Sequence, residues 1–242
     1  MSNLLYPKNA IFFVFLIKIH HVFYTVITAV AIVFMHSYKF PKHEKQIGEI
    51  AKKIGFTQIS LSHEVSPLIK FVSRGDTAII DAYLSPLLRR YVEQITNSFD
   101  TSLDALNLLF MTSSGGLTAA DLFQGRDAIL SGPAGGIVGA IKTSALSGAD
   151  KIISFDMGGT STDVAHYSGF VEKAFDTEIA GVRMRVPMMK IHTVAAGGGS
   201  ILRFDGARFQ VGPNSAGASP GPACYGRGGP LRVTDATPVL GR

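Results

Sequence analysis

The chain has 242 residues, 46% of them hydrophobic and 17% charged, with a net charge of +5. That is enough apolar material for one large core or two small ones, and it excludes an intrinsically disordered chain. Basic residues alternate with acidic ones and form no arginine-rich arm, so no nucleic-acid partner is expected, while the single cysteine, Cys224, excludes an internal disulfide framework and fits a reducing, cytoplasmic setting.

The first feature along the chain is a strongly apolar run from Ala10 to Met35. Lys18, His20 and His21 interrupt it near its centre, and a lysine at mid-bilayer costs about 2.5–3.5 kcal/mol. No small-residue cleavage site follows. The run is therefore read as an atypical hydrophobic extension over residues 1–27 that leads into a buried strand, Ala29–Met35, in preference to a membrane anchor through residues 10–35. His43–Ile54 places Ile47, Ile50 and Ile54 at helical spacing, with Gly55 as the stop. Thr57–Leu61 reads as a strand. Asp76–Ile95 reads as a longer helix that Pro86 should bend or divide.

Glycine then becomes frequent: only Gly48, Gly55 and Gly75 precede residue 113, and the other 23 of 26 follow it. Leu108–Thr112 reads as a strand running into Ser113-Ser-Gly-Gly116, with Thr118 capping a short helix, Ala119–Phe123. Ser131–Gly136 reads as a loop before a small-residue helix, Ile137–Leu146. Lys151–Phe155 is a strand ending at Asp156, followed by hairpin strands and by loops rich in Gly, Pro and Ser. The alternation of strands and helices argues for an α/β fold.

The strongest local signal runs from Ile152 to Asp163. A buried strand ends in the carboxylate of Asp156, turns through Gly158 and Gly159, and passes Thr160 and Thr162 to a second carboxylate, Asp163. Glycines there let backbone N–H groups converge on phosphate oxygens, and the threonines can donate hydroxyl hydrogen bonds. Asp156 could hold hydrated Mg²⁺ or orient an attacking water, since phosphoryl transfer depends on positioning and charge neutralisation. The competing explanation is an ordinary tight hairpin. The loop is not of the Walker type, because the G-x-x-x-x-G-K-[ST] pattern is missing. Gly197, Gly198 and Gly199, three glycines after an apolar strand, form a second candidate nucleotide contact, with a flexible turn as the competing reading.

About 20 residues before the turn stands Gly132–Ala140, rich in Gly and Ala and followed by a helix of small residues. This order resembles the actin, hexokinase and heat-shock-70 ATPase superfamily. The whole set of motifs is more specific. His63–Pro67, Ala82–Pro86, Thr112–Gly116, Ser131–Gly136, Phe155–Asp163 and Gly212–Gly229 together resemble the hydantoinase A/5-oxoprolinase family from about Ala29 to Arg242.

That resemblance implies an α/β fold with actin-like, heat-shock-70-like (ribonuclease H-like) ATPase lobes, here incomplete. It implies residues 28–87 as the end of the family's N-terminal region and 88–242 as a truncated A-type core. It also implies ATP and Mg²⁺ as cofactors and ATP-driven opening of a cyclic amide, with 5-oxo-L-proline giving L-glutamate, or a hydantoin as substrate. Asp156, Gly158, Gly159, Thr160 and Thr162 match the family's phosphate loop. Such proteins carry another D-x-G-G-T loop nearer the amino terminus and a hydantoinase B-type portion. Neither is present in this sequence, so a fragment of a larger, homo-oligomeric enzyme is expected. A truncated module that binds nucleotide weakly, or only packs against a partner subunit, is the alternative.

The remaining signals have simpler explanations. Cys224 has no base beside it in sequence and reads as loop packing. His63 with Glu64, and His192, read as structural; His20 with His21 reads as an accident of the terminus. Arg183 and Arg185 share one face of a strand and could meet phosphate or water equally well.

Overall fold

The computed structural model describes residues 27–99, 108–179 and 181–241. The extension read over 1–27 lies outside the described residues as far as residue 26, as does most of the run considered as an anchor. Among the described residues no helix is long and apolar enough to cross a membrane. The chain divides into two compact units. One takes residues up to Thr112, Gly116–Ile129 and Ala174–Met188; the other takes Ser113–Gly115, Leu130–Lys173 and Met189–Arg242.

In the first unit, β1 (Ala29–Ile32) pairs in parallel with β2 (Gln58–Leu61), and α1 (Lys42–Ile54) crosses between them. The crossover forms because Ile47 and Ala51 fall on one face of α1 and bury with Ile32 and Phe56, flanked by Ile50, Ile54 and Ile59. Gly55 adopts φ 115° and returns its N–H to the carbonyls of Ala51 and Lys52, which ends the helix where the sequence placed its stop.

A buried polar network lies beside this core. Glu44, on the first turn of α1, is fully buried; it accepts from the Phe34 and His63 amides at 3.2 and 3.1 Å, from the Ser62 hydroxyl at 2.6 Å, and pairs with His63 Nδ1. Ser62 and His63 open the short helix α2 (Ser62–Val65), and Ser62 Oγ also accepts from Arg74 Nε at 3.0 Å. Arg74, likewise fully buried, donates to the carbonyls of Phe34, Met35 and Leu68. Burial pushes its guanidinium below its ordinary pKa, and the charge of Glu44 opposes that shift. His63 is thus engaged with Glu44 inside this buried network.

The next helix, α3 (Phe71–Asn97), starts five residues before the sequence suggested and runs through Pro86 undivided. Its buried stripe is Arg74, Thr77, Ala78, Asp81, Ala82 and Ser85. Four of those six are polar, so apolar periodicity could not mark where the helix begins. The stretch around Pro86 is fastened from outside by α4 (Gly125–Ala128), which follows the antiparallel strands β3 (Leu109–Met111) and β4 (Leu117–Ala119). The Gly125 amide donates to Ser85 Oγ at 3.0 Å and the Arg126 amide to Asp81 Oδ1 at 3.3 Å. A Cβ on Gly125 would come within 2.7 Å of Leu84 Cβ and the Ser85 nitrogen, so only glycine permits this docking.

Two local expectations need correction here. Thr118 lies in β4, paired with Phe110, and does not cap a helix; the turn that follows is a 3-10 helix, Ala120–Leu122, whose N-cap residue is Ala119. Strand pairing with β3 claims the Thr118 backbone before a helix can start. The first unit is completed by β7 (Lys173–Ile179) and β8 (Val182–Met189), which form a two-stranded sheet. Arg183 and Arg185 lie on β8; Arg185 pairs with Asp176 at 3.1 Å, and its amide donates to Thr77 Oγ1 at 2.9 Å.

In the second unit β5 (Lys151–Met157), β6 (Thr162–Ser168) and β9 (His192–Val194) form an antiparallel sheet in the order β5-β6-β9. Helix α5 (Ser131–Leu146) covers one face, with Ala134 and Ile137 buried against Ala165 and Met189. The segment Ser131–Gly136, read from sequence as a loop, is the first part of this helix. Pro133 sits within the first turn, where a missing N–H breaks no intrahelical bond, and the run of small residues then continues as helix. Beyond β9, the hairpin of β10 (Ser200–Phe204) and β11 (Phe209–Ser215) leads into two 3-10 turns, Ala223–Tyr225 and Val233–Asp235, and a closing turn of helix, α6 (Ala236–Val239).

Candidate functional site

β5 and β6 are joined by a tight turn held by the Gly158 amide donating to the Ser161 carbonyl at 2.9 Å. Asp156 and Asp163 are register partners across the two strands, so their carboxylates project on the same face. Both line a cleft of about 420 Å³ whose opposite wall is α5, through Pro133, Gly136, Ile137 and Ala140. A Cβ on Gly136 would stand 3.6 Å from Asp156 Oδ2, which shows how near the helix backbone comes to the carboxylate.

The two carboxylates differ in freedom. Asp163 accepts from Thr193 Oγ1 at 2.6 Å and is held in place by β9. Asp156 is exposed, and among the described residues nothing donates to it. The turn itself shows the same asymmetry. Gly158, Gly159 and Thr160 are exposed, and among the described residues the amides of Gly159, Thr160 and Ser161 donate to no protein acceptor. Nothing lies within 4 Å of a Cβ built on Gly159. Three consecutive N–H groups without a protein acceptor among the described residues are available to an anion.

The carbonyl side of the turn is closed. Gly198 and Gly199 donate to the carbonyls of Gly158 and Gly159 at 2.9 and 2.6 Å. A Cβ on Gly197 would lie 2.7 Å from the Gly158 oxygen, 2.8 Å from the Gly159 carbon and 2.8 Å from the Ser161 nitrogen. The three glycines therefore let one backbone segment press directly on another, supporting the turn from behind. Thr162 adds to this support: its buried hydroxyl donates to the Ala196 carbonyl at 2.6 Å, so of the two threonines only Thr160 offers an exposed hydroxyl at the turn.

A further layer backs the glycines. Thr234 Oγ1 and the Thr234 amide both donate to the Gly198 carbonyl, at 2.8 and 2.9 Å. Asp235 anchors that layer by accepting from the amides of Arg232, Cys224 and Ala223 at 2.7, 2.7 and 3.2 Å. The Cys224 thiol and these amides hold the Asp235 carboxyl down to about 2, and Asp235 in turn pushes the thiol up. A thiol so raised stays protonated at neutral pH; Cys224 is exposed and engages Asp235, which corrects the expectation that it packs within the loop. His192 is exposed on β9.

Several contributors were not legible in the sequence. Thr193 positions Asp163, Thr234 props the glycine segment, and the Ser161 amide completes the row of donors. Each depends on register or loop approach, and no local motif marks it. Among the described residues no group of three or more His, Cys, Asp or Glu side chains is arranged to hold a metal ion.

Comparison with known proteins agrees with the motif content. Residues 74–242 match the hydantoinase/oxoprolinase family model, and residues 18–55 match the model of the hydantoinase/oxoprolinase N-terminal region. The chain is 50% identical over 229 residues to a 5-oxoprolinase of Dictyostelium discoideum, covering 89% of this chain but 18% of that protein. Among solved structures it is similar to an ATP-dependent caprolactamase from Pseudomonas jessenii, at TM-score 0.72 and 34% identity, covering 93% of this chain and 34% of that one. It is also similar to the nucleotide-free structure of an acetone carboxylase, at TM-score 0.72 and 26% identity, covering 93% and 33%. The chain thus has an α/β fold shared with these larger proteins and spans only a minor part of their length. With one family model matched across 74–242, well over half its residues, the chain belongs to the hydantoinase/oxoprolinase family.

Proposed function

We propose that this chain is the phosphate-loop portion of an ATP-dependent hydrolase that opens a cyclic amide, 5-oxo-L-proline to L-glutamate or a hydantoin. The observation that carries the reading is the open turn at Gly159–Ser161, three unengaged amides beside the free carboxylate of Asp156. Similarity to a 5-oxoprolinase and to an ATP-dependent caprolactamase supports the chemistry.

A lactam carbonyl is a weak electrophile. Transfer of the γ-phosphoryl group of ATP to the amide oxygen forms an O–P bond at that oxygen and breaks the bond to ADP. Water can then add to the activated carbon, and cleavage of the ring C–N bond with loss of phosphate leaves the opened acid. In this reading the amides of Gly159, Thr160 and Ser161, with the Thr160 hydroxyl, bind phosphate oxygens and hold the chain in line. The glycine segment behind them keeps the donors fixed while charge moves. Asp156 fits an ion that keeps most of its waters and shares phosphate oxygens, since one free carboxylate is the usual protein contribution to such a site. Mg²⁺ there would neutralise charge on the phosphates. Asp163, tied to Thr193, orients toward the same cleft and can fix a water. The remaining lobe and the hydantoinase B-type portion or subunit belong to the larger, homo-oligomeric assembly in this proposal, which acts in the cytoplasm.

Amide chemical-shift mapping of the isotopically labelled chain tests the reading. Titration with Mg-ATP or pyrophosphate should move the signals of Gly159, Thr160 and Ser161, and adenosine should not. Saturable shifts confined to other regions would remove the basis for the proposal.

A further inference from the structure

Behind the glycine segment stands a cation with no counter-charge among the described residues. Arg232 is fully buried, and its guanidinium makes one bond, Nη1 to the Gly217 carbonyl at 2.9 Å. Among the described residues Nε and Nη2 have no partner, and no carboxylate forms an ion pair with it. The neighbouring Asp235 is occupied with backbone amides, including that of Arg232 itself. Arginine cannot shed its charge in a protein, and a buried charge without a partner is destabilising.

The position of this charge gives it a use. A Cβ on Gly199 would stand 3.6 Å from Arg232 Nη1 and 2.6 Å from the Gly159 carbonyl oxygen, so guanidinium and turn flank the same glycine. The Gly199 amide already donates to that oxygen. We propose that Arg232 is a positioning residue of the phosphate turn: a fixed positive charge behind it that raises the affinity of the open amides for an anionic phosphate chain. The inference rests on the nucleotide reading of the turn. An anion on the open side would supply the missing counter-charge, so Arg232 is less destabilising in the bound state than in the free one.

The two states give opposite signs in one experiment. Arg232→Met keeps the length and apolar volume of the side chain and removes the charge. It should leave thermal stability without ligand unchanged or raised, because an unpaired buried charge is gone. It should also weaken binding of pyrophosphate about tenfold, the effect of a unit charge at roughly 12 Å through an effective dielectric of about 20. Arg232→Lys, which keeps the charge, should retain most of the affinity. A purely structural arginine predicts the reverse, a lower melting temperature for the Met variant and unchanged binding in whatever folds. If the Met variant does not fold, Arg232→Gln, uncharged but still able to donate to the Gly217 carbonyl, decides: pyrophosphate binding about tenfold weaker than wild type supports the proposal, and wild-type affinity overturns it. Wild-type and Met chains binding pyrophosphate equally would overturn this inference while leaving the turn's role intact. A wild-type chain whose turn amides do not respond to pyrophosphate would overturn both.

Discussion

Substituting Gly197 by alanine places a single methyl group against the back of the phosphate turn. The new Cβ would stand 2.7 Å from the Gly158 oxygen and 2.8 Å from both the Gly159 carbon and the Ser161 nitrogen, closer than real Cβ contacts allow. All three are backbone atoms, so no side chain can rotate away, and relief requires one strand of the contact to move by roughly 0.5 Å. Overpacking of this kind costs about 1–3 kcal/mol. The displaced atoms include the Ser161 amide, one of the three open donors. Since a 1 Å misplacement at a reacting site is worth about a hundredfold, a shift half as large should weaken phosphate binding by about tenfold. Gly139→Ala, on the exposed side of α5 and away from the turn, is the control, because its Cβ meets nothing within 4 Å. Urea unfolding and pyrophosphate titration of the two variants form the assay. If Gly197→Ala matched Gly139→Ala in both stability and affinity, the account of the glycine segment as a rigid support would be refuted.

Two predictions concern the frame around the site. Glu44→Ala should destabilise the first unit by about 3–5 kcal/mol, because Ser62, His63 and the Phe34 amide lose their acceptor and the buried Arg74 loses a nearby negative charge; Glu44→Gln should be milder, and a loss below about 1 kcal/mol on urea unfolding for the Ala variant would contradict the network reading. Asp235 is held at about 2 against its ordinary 3.8, so the folded chain binds fewer protons there than the unfolded one. Its contribution is therefore complete above about pH 4 and is lost as pH falls through about 2; acid titration of thermal stability should show this loss in the wild type and a flatter profile over that window in Asp235→Asn.

Much of the architecture was legible because local and tertiary preferences agree. The apolar face of α1 and its glycine stop, the strands at β2 and β5, and the turn after Asp156 all follow from residue type and spacing. Legibility failed where burial is polar or backbone-driven. α3 hides Arg74, Thr77, Asp81 and Ser85, so its start left no hydrophobic trace, and Pro86 is tolerated there because α4 fastens the neighbouring turn from outside. The segment Ser131–Gly136 has loop composition but folds as helix, since small residues are what let α5 approach the Asp156 carboxylate.

The sequence by itself determined the family and the composition of the turn: an aspartate at a strand tip, two glycines and a run of hydroxyl residues. Which face of the turn is open was decided only by tertiary structure, because that depends on Gly197–Gly199 reaching the carbonyls of Gly158 and Gly159 from some 40 residues away. Once those carbonyls are engaged, only the N–H side remains to meet a ligand, and one charge that no sequence pattern identifies, Arg232, lies buried behind it. Spacing along a chain can nominate donors, but their direction is set by what packs on the other side.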